Sequence, residues 1–528
     1  MKLRQLFLLQ KIKTTITVLL IGLQAITQTL AALILALAIN DLIAKELQSF
    51  FIQIGWVILM WVITLSSSYC AAFLKQKIIQ DSAEYLREQA LTKAYLTIEQ
   101  SEGEVKKAYY INLATTDILT IETGISSVFV LIGSIMAAIS SSIALFYYSY
   151  WLVLATFFFS LLFLVIPIVY KKQLIEVTQN VSKQNELITK DTTNLIMGIF
   201  DLFNYQAFSL IQRKNQVNSL NMKHAKLAYT KVTNLVTVMI ALANILSQFC
   251  LIGLAGYLAY QGQLGFGVIL AVGNLANQFF SAISELSETN ASILSTQAIL
   301  NKFESITNDT KINRPPIFTK EIRAVQLKYA YPNKQVSFPD MHFEKNKKYL
   351  IEGESGSGKT TLIQLLTRSL KHYKGSLQFD GTEYVKLSKV DVLQSMALMS
   401  QQTFILNGTI KENICLALPF DQIRFDQVLE NSHLNELIAT LPQKSDTELD
   451  SDHLRLSGGQ LQRIAIARAF YHHKDILIFD EGTANLDAKT AKAIEEIVLT
   501  TPNQTAIIIS HSFKEELKRF IDQTYILT

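Results

Sequence analysis

The chain has 528 residues, of which 49% are hydrophobic and 17% charged, with a formal net charge of +4. That length holds about two to four ordinary domains, and so small a charge argues against nucleic acid as a partner. Cys70, Cys250 and Cys415 are odd in number and far apart, which argues against a disulfide framework or a thiolate metal site and leaves ordinary thiols.

Six stretches lack Asp, Glu, Lys and Arg: residues 14–39, 49–74, 125–147, 152–170, 233–260 and 266–284. A helix crossing the hydrocarbon core needs about 20 apolar residues, so each is an expected span. The first is expected to be retained and not a cleaved signal peptide, because it is long and five more follow. Lys and Arg fall unevenly around these spans. Residues 1–13 carry four, the loop between spans two and three six, and that between four and five nine, whereas Lys45 stands alone on the other side. Cytoplasmic loops carry this excess, which predicts a cytoplasmic N-terminus and cytoplasmic long loops. Both long loops show apolar residues at helical intervals with almost no Gly or Pro, so the spans are expected to continue as helices into the cytosol. Their apolar faces, such as Ile199, Leu202, Phe203 and Phe208, call for a surface to touch.

Amides punctuate three spans: Gln24 and Gln28 on one face of the first, Asn244 and Gln248 in the fifth, and Asn274, Asn277 and Gln278 in the sixth. Such groups are expected chiefly to hold helices together, and where they line a chamber they suit neutral or amphipathic cargo. Glu285 and Glu288 sit at the inner end of the sixth span, where they would attract a cation or begin a solvated linker.

After about residue 285 the sequence turns polar and reaches Pro315-Pro316, a boundary signal. Beyond it, "IEGESGSGKTTL" (351–362) lies between an apolar strand pattern and a helical one. This is the context in which glycine-rich backbone and a helix N-terminus cradle phosphates. The predicted nucleotide contacts are Gly353, Glu354, Ser355, Gly356, Ser357, Gly358, Lys359, Thr360 and Thr361, with Lys359 on the outer phosphates and Thr360 on magnesium. A second strand, "ILIFDE", ends in Asp480, expected to orient the metal, and Glu481, expected to polarise the attacking water. A helix-capping role for Asp480 is the plainer alternative.

Between these lies "LRLSGGQLQRIAIARAF", in which Leu456 to Gln460 resembles the signature of ATP-binding cassette (ABC) transporters. Ser457, Gly458, Gly459 and Gln460 open a helix and so offer a second anion-facing N-terminus. The resemblance implies that two cassettes pair head to tail, one subunit's signature closing over ATP on the other's phosphate loop. It implies further that Tyr331 stacks on adenine, that Gln401 contacts magnesium and the attacking water, that Asp487 lies in the loop crossing the dimer interface, and that His511 is the switch residue on the γ-phosphate. Exporter-type half-transporters share the whole layout, with short coupling helices expected near residues 98–108 and 198–208. One departure stands before the signature, where "TELDSD" (447–452) replaces the glycine-glutamate pair of the family's acidic stretch.

The expected fold is therefore an α-helical membrane domain of six transmembrane helices (1–305), a linker (306–320) and an α/β P-loop ATPase domain (321–528). The expected function is ATP-driven transport, most simply export of an amphipathic compound, lipid or peptide by alternating access, with ATP and Mg2+ as ligands. An importer on the same scaffold, for a siderophore or vitamin, and a membrane-tethered regulator or channel are the alternatives. The expected partners are a second half-transporter, a homodimer in preference to a heterodimer, and the lipid bilayer of a bacterial plasma membrane. With thirteen residues before the first span, a leader-cleaving peptidase domain is not expected.

Overall fold

The computed structural model of the chain describes residues 3–100, 107–303, 318–332, 334–354, 356–399, 403–449, 456–480, 486–510 and 513–528. They divide into two compact units, one of residues 1–92 and 108–304, the other of residues 93–107 and 305–528.

The first unit is helical: α1 (Leu3–Leu9), α2 (Lys11–Ile43), α3 (Leu47–Gln100), α4 (Lys107–Ala114), α5 (Thr116–Tyr148), α6 (Tyr150–Met197), α7 (Ile199–Asn204), α8 (Phe208–Tyr260) and α9 (Val268–Leu300). The six uncharged stretches fall on α2, α3, α5, α6, α8 and α9. Among the described residues, five segments, on α2, α3, α4 with α5, α6 and α8, are long and apolar enough to cross a membrane. The helix that misses is α9, whose apolarity is diluted by Asn274, Asn277 and Gln278. It is instead the packing centre of the unit, with Val272, Leu275, Ala276 and Phe280 fully buried among α2, α5, α6 and α8.

Close approach needs small residues, because lipid offers no hydrophobic drive for helices to associate. A Cβ at Gly124 of α5 would lie 1.9 Å from Thr296 Oγ1 of α9, so only glycine lets these two helices meet. Buried hydroxyls bond back to their own helix, as Thr17 does to Lys13 O (2.9 Å) and Ser247 to Ala243 O (2.7 Å), which satisfies them without water. α6 and α8 run far beyond their uncharged stretches, as the helical periodicity predicts. Between them the chain breaks at Gly198 and forms α7, inside the stretch expected to couple; the other such stretch, 98–108, lies partly outside the described residues. Phe200 and Phe203 of α7 are 82% and 78% exposed.

The second unit begins with β1 (Glu321–Tyr331), β2 (Lys334–Ser337), β3 (Met341–Glu344) and β4 (Lys348–Gly353), then α10 (Lys359–Leu366), β5 (Tyr373–Phe379) and β6 (Thr382–Glu383). It continues through α11 (Lys389–Ser395), β7 (Met396–Met399), β8 (Gly408–Thr409), α12 (Ile410–Cys415), α13 (Gln422–Asn431), α14 (Asn435–Thr440) and β9 (Glu448–Leu449). α15 (Gly458–His472), β10 (Ile476–Asp480), α16 (Ala488–Thr500), β11 (Thr505–Ser510) and β12 (Gln523–Leu527) complete it. An antiparallel sheet has the order β2-β1-β5-β6 with β3 also on β1, and a parallel sheet the order β12-β4-β11-β10-β7.

The strands of the parallel sheet read as apolar runs because both faces are covered. Successive side chains alternate between two cores. Ile351, Ile478 and Ile507 join Leu362 and the antiparallel sheet, while Leu350, Leu477 and Ile508 join Ile494 and Val498 of α16. A third cluster, with Ile410, Phe425, Leu429, Ile464 and Tyr471, holds α12 to α15 together. The phosphate-loop helix and the start of the signature helix thus rest on different cores.

Candidate functional site

Parallel strands present their carboxyl ends on one edge, where α/β proteins bind ligands. Here β4 ends at Gly353, β11 at Ser510, β10 at Asp480 and β7 at Met399, with Glu352 beside Ser510, Ile509 beside Asp480 and Phe479 beside Met399. Neighbouring strands are about 4.8 Å apart, so the first three ends span about 10 Å. Ser355, Gln401, Glu481 and His511 lie outside the described residues. In sequence, Gln401, Glu481 and His511 follow the ends of β7, β10 and β11.

From β4 the chain turns through the glycine-rich loop into α10. Gly358 caps that helix with φ of +100°, and a Cβ there would lie 2.4 Å from Val336 Cγ1. The loop therefore tolerates only glycine at this point. Lys359 Nζ donates to Gly353 O (2.6 Å) and Glu354 O (2.8 Å), which folds its charge over the loop, and Lys334 Nζ donates to Gly356 O (2.9 Å). Among the described residues Ser357 Oγ is buried without a hydrogen-bond partner. Thr360 is exposed at the first helical turn, while Thr361 is buried with its hydroxyl 3.1 Å from that of Tyr331. Tyr331 is thereby held beside the loop, the residue 40% exposed.

The signature sits at the start of α15. Ser457 Oγ accepts from Gln460 N (3.3 Å) and Gln460 Oε1 accepts from Ser457 N (2.8 Å), a reciprocal cap that fixes where the helix begins. Ser457 and Gly458 are exposed, and a Cβ on Gly458 would meet nothing within 4 Å. Ser457 and Gln460 side chains bond only to this cap among the described residues, never to the phosphate loop of their own chain. Asp487 is exposed and caps α16, its Oδ1 accepting from Lys489 N (3.1 Å) and Thr490 N (3.0 Å). The Thr490 hydrogen bonds lower its pKa from the ordinary carboxylate value. Asp480 is the last residue of β10.

Two connections around the signature were invisible to sequence reasoning. Gly408–Thr409 pairs antiparallel with Glu448–Leu449, which ties the segment after Gln401 to the start of the altered acidic stretch. Arg468 of α15 donates from Nε to Asn413 O (2.7 Å) and from Nη1 to Phe404 O (3.1 Å), binding the same segment to the signature helix.

In the membrane unit, a cavity of about 430 Å³ opens among α2, α3, α5 and α9. Gln24, Gln28, Asn277, Gln278 and Glu285 all line it, so amides spread over two predicted spans meet in one place. Lys75, Ser68, Ser134 and Ser281 join them. Ser134 Oγ donates to Glu285 Oε2 (2.5 Å), and Gln248 Nε2 donates to Asn277 Oδ1 (3.0 Å) and to Asn244 Oδ1 (2.8 Å). Gln248 thus ties α8 to α9, braced by Asn244 within its own helix, whereas Gln24 and Gln28 face the cavity. The Glu288 side chain lies outside the described residues.

The ABC transporter transmembrane region matches residues 14–283, just over half of the chain, and the ABC transporter domain matches residues 336–484. The chain belongs to the ABC transporter family. An ATP-dependent lipid A-core flippase from Shewanella frigidimarina is 28% identical over 86% of this chain and 78% of its own length. The heterocyst differentiation ATP-binding protein HepA from Nostoc sp. is 28% identical over 80% of this chain and 70% of its own. Another lipid A-core flippase, from Polaromonas sp., is 38% identical over a shorter segment, 30% of this chain and 28% of that one. The solved structure of a bacterial Atm1-family ABC exporter with ATP bound shares the fold, with a TM-score of 0.80, 18% identity, and coverage of 98% of this chain and 93% of the other.

This ABC transporter is a multi-pass membrane protein that binds ATP, and its activity is ATP-driven transport. The site fits a triphosphate: a loop closed to any side chain at Gly358, a lysine folded over it and the unpartnered hydroxyl of Ser357 form a cradle for anionic oxygens. One membrane region followed by one cassette is the layout of half-transporter ABC exporters, a type that typically dimerises.

Proposed function

We propose that two copies of the chain pair head to tail and export an amphipathic, lipid-like or peptide cargo across a bacterial plasma membrane, with the N-terminus and cassette in the cytoplasm. The observation that carries this reading is the exposed, self-capped signature end, which bonds to nothing in the phosphate loop of its own chain. A second copy supplies the missing half. The flippase relatives support a lipid-like cargo, and the excess of Lys and Arg in the long loops supports the orientation.

Within such a dimer Gly353 to Thr361 hold the phosphates and Tyr331 stacks on the adenine. Ser457 to Gln460 and Asp487 come from the facing subunit. Thr360, Gln401 and Asp480 would hold magnesium, whose chemistry when bound is to neutralise phosphate charge. Glu481 orients and polarises the attacking water, and His511 senses the γ-phosphate. The exposed apolar side chains of α7, Phe200 and Phe203 among them, dock on a cassette and carry its closure to the membrane helices. ATP then shifts the equilibrium between inward and outward states by its differential affinity for the closed dimer.

Reconstitution of the singly expressed chain in lipid tests the proposal. Hydrolysis should vanish in Lys359→Ala and fall by at least about a thousandfold in Glu481→Gln, and inside-out vesicles should accumulate cargo only with ATP. Wild-type hydrolysis in Glu481→Gln would remove the assigned base, and uptake confined to right-side-out vesicles would establish an importer.

A further inference from the structure

The membrane cavity pairs one cation with one anion. Lys75 stands immediately after the second uncharged stretch and Glu285 immediately after the sixth, so both sit at the same end of their spans, the end assigned to the cytoplasm. Deeper in the unit lie Asn277 and Gln278 of α9 and Gln24 and Gln28 of α2. At 1.5 Å per residue, Asn277 and Glu285 are about 12 Å apart along α9, and Gln24 and Gln28 about 6 Å apart along α2.

Much of this polarity is unspent. Among the described residues the side chains of Lys75, Gln24, Gln28 and Ser281 make no hydrogen bond or ion pair, and Gln278 Nε2 is buried without a partner. Among the same described residues the Glu285 carboxylate accepts only from the Ser134 hydroxyl. Unpaired polar groups in a membrane protein are costly, and ionisable ones there mark a pathway. A purely anionic guest would meet Glu285 and a purely cationic one Lys75. A guest with both charges offends neither.

We infer, on the basis of the transport reading above, that this cavity recognises a zwitterion. Its acid group lies against Lys75, its ammonium group against Glu285, and an amide- or hydroxyl-bearing middle against Gln24, Gln28, Asn277 and Gln278. At about 430 Å³ the cavity falls within the size range of small-molecule sites and takes a guest about the size of a tripeptide. The same chemistry occurs in a free short peptide and in the phosphoethanolamine headgroup of a lipid.

The test uses the full-length dimer in phosphatidylglycerol nanodiscs, with ATP hydrolysis recorded against trialanine, N-acetyl-trialanine and trialanine amide. A parallel set replaces part of the lipid with phosphatidylethanolamine. Trialanine should raise hydrolysis about twofold or more if the guest is a free peptide, and phosphatidylethanolamine should do so if it is a headgroup. Each blocked peptide should need at least about tenfold more, since a charge-assisted hydrogen bond is lost. Lys75→Met should no longer distinguish trialanine from its amide, and Glu285→Gln should no longer distinguish it from the N-acetyl form. A protein merely damaged by substitution would not lose these two preferences separately. For a headgroup guest, both substitutions should abolish the response to phosphatidylethanolamine. No response to either zwitterion, or an equal response to blocked peptides, overturns the inference. If ATP hydrolysis persists and needs Lys359, the transporter reading survives that result, whereas absence of hydrolysis in the wild type fells both.

Discussion

Replacing Gly358 with alanine puts a methyl group where the phosphate loop has no space for one. At φ of +100° the left-handed conformation costs an L-residue about 1–2 kcal/mol. The new Cβ would also lie 2.4 Å from Val336 Cγ1, and Val336 is 7% exposed and packed in the core, so it cannot swing aside. Overpacking of this kind adds about 1–3 kcal/mol. If the loop relieves both by leaving its cradle shape, ATP affinity falls by about 2–5 kcal/mol, or about thirtyfold to a few thousandfold. Gly356 is the control: its φ is +87° but a Cβ meets nothing within 4 Å, so Gly356→Ala should lose only the about 1–2 kcal/mol of conformational strain. Against a Val336→Ala background, Gly358→Ala should recover the overlap part and keep the strain part. Titration of the full-length variants with a fluorescent ATP analogue measures all of these as a double-mutant cycle. Wild-type affinity in Gly358→Ala, or no relief from Val336→Ala, would refute the steric reasoning.

Three further outcomes are expected. Burial pushes Lys348 down to about 8, opposed by the nearby Asp522 charge. Between that value and 10.5 the unfolded chain binds more protons than the folded one, so stability rises with pH, by about 2 kcal/mol by pH 9.5 and not at all below both values. Urea unfolding should show a slope steeper by that amount in the wild type than in Lys348→Met, where Lys389 and Lys474, also lowered by burial, still contribute; it is measured below the range in which Tyr349, pushed up to about 12 by its own burial, contributes the opposite sign. Ser457→Ala removes the reciprocal cap and should cost about 1 kcal/mol in unfolding experiments, yet lower ATP hydrolysis by more than about tenfold if, as in the proposed dimer, the same serine faces the partner's nucleotide. Phe200→Asp changes a side chain that is 82% exposed, so unfolding should move by less than about 0.5 kcal/mol while transport collapses; unaltered transport would remove α7 from coupling.

Sequence legibility followed the range over which each feature is encoded. The phosphate loop and signature are contiguous, because each is a backbone shape dictated by a few neighbouring residues, as at Gly358 and in the Ser457–Gln460 cap. The strands around them could be read from unbroken apolar runs, and the membrane helices from the absence of charge. The expected sixth span was harder, since α9 spends part of its length on amides and is stabilised by helix packing. Lys75 was passed over because it lies one residue outside an uncharged stretch, and nothing local reveals that it faces Glu285's cavity across the bundle. Nor could local pattern show Arg468 reaching Phe404 O, or Gly408–Thr409 pairing with Glu448–Leu449, since both depend on the chain returning to itself. Asp487 proved to cap a helix, a role its sequence position also allows, alongside the interface role proposed for it.

The claim at the centre of this account is that one chain's phosphate loop is completed by another chain's signature. Two tagged forms of the protein, each with Cys70, Cys250 and Cys415 replaced, would carry Ser357→Cys and Ser457→Cys respectively, and oxidation after co-expression would be followed by mass measurement. A disulfide joining the two 59.4 kDa chains, formed without nucleotide and suppressed when ATP fills the space between the two cysteines, is the predicted product. If single-cysteine chains remain unlinked while one chain carrying both substitutions closes an internal disulfide, the site is built within one subunit and the account is wrong.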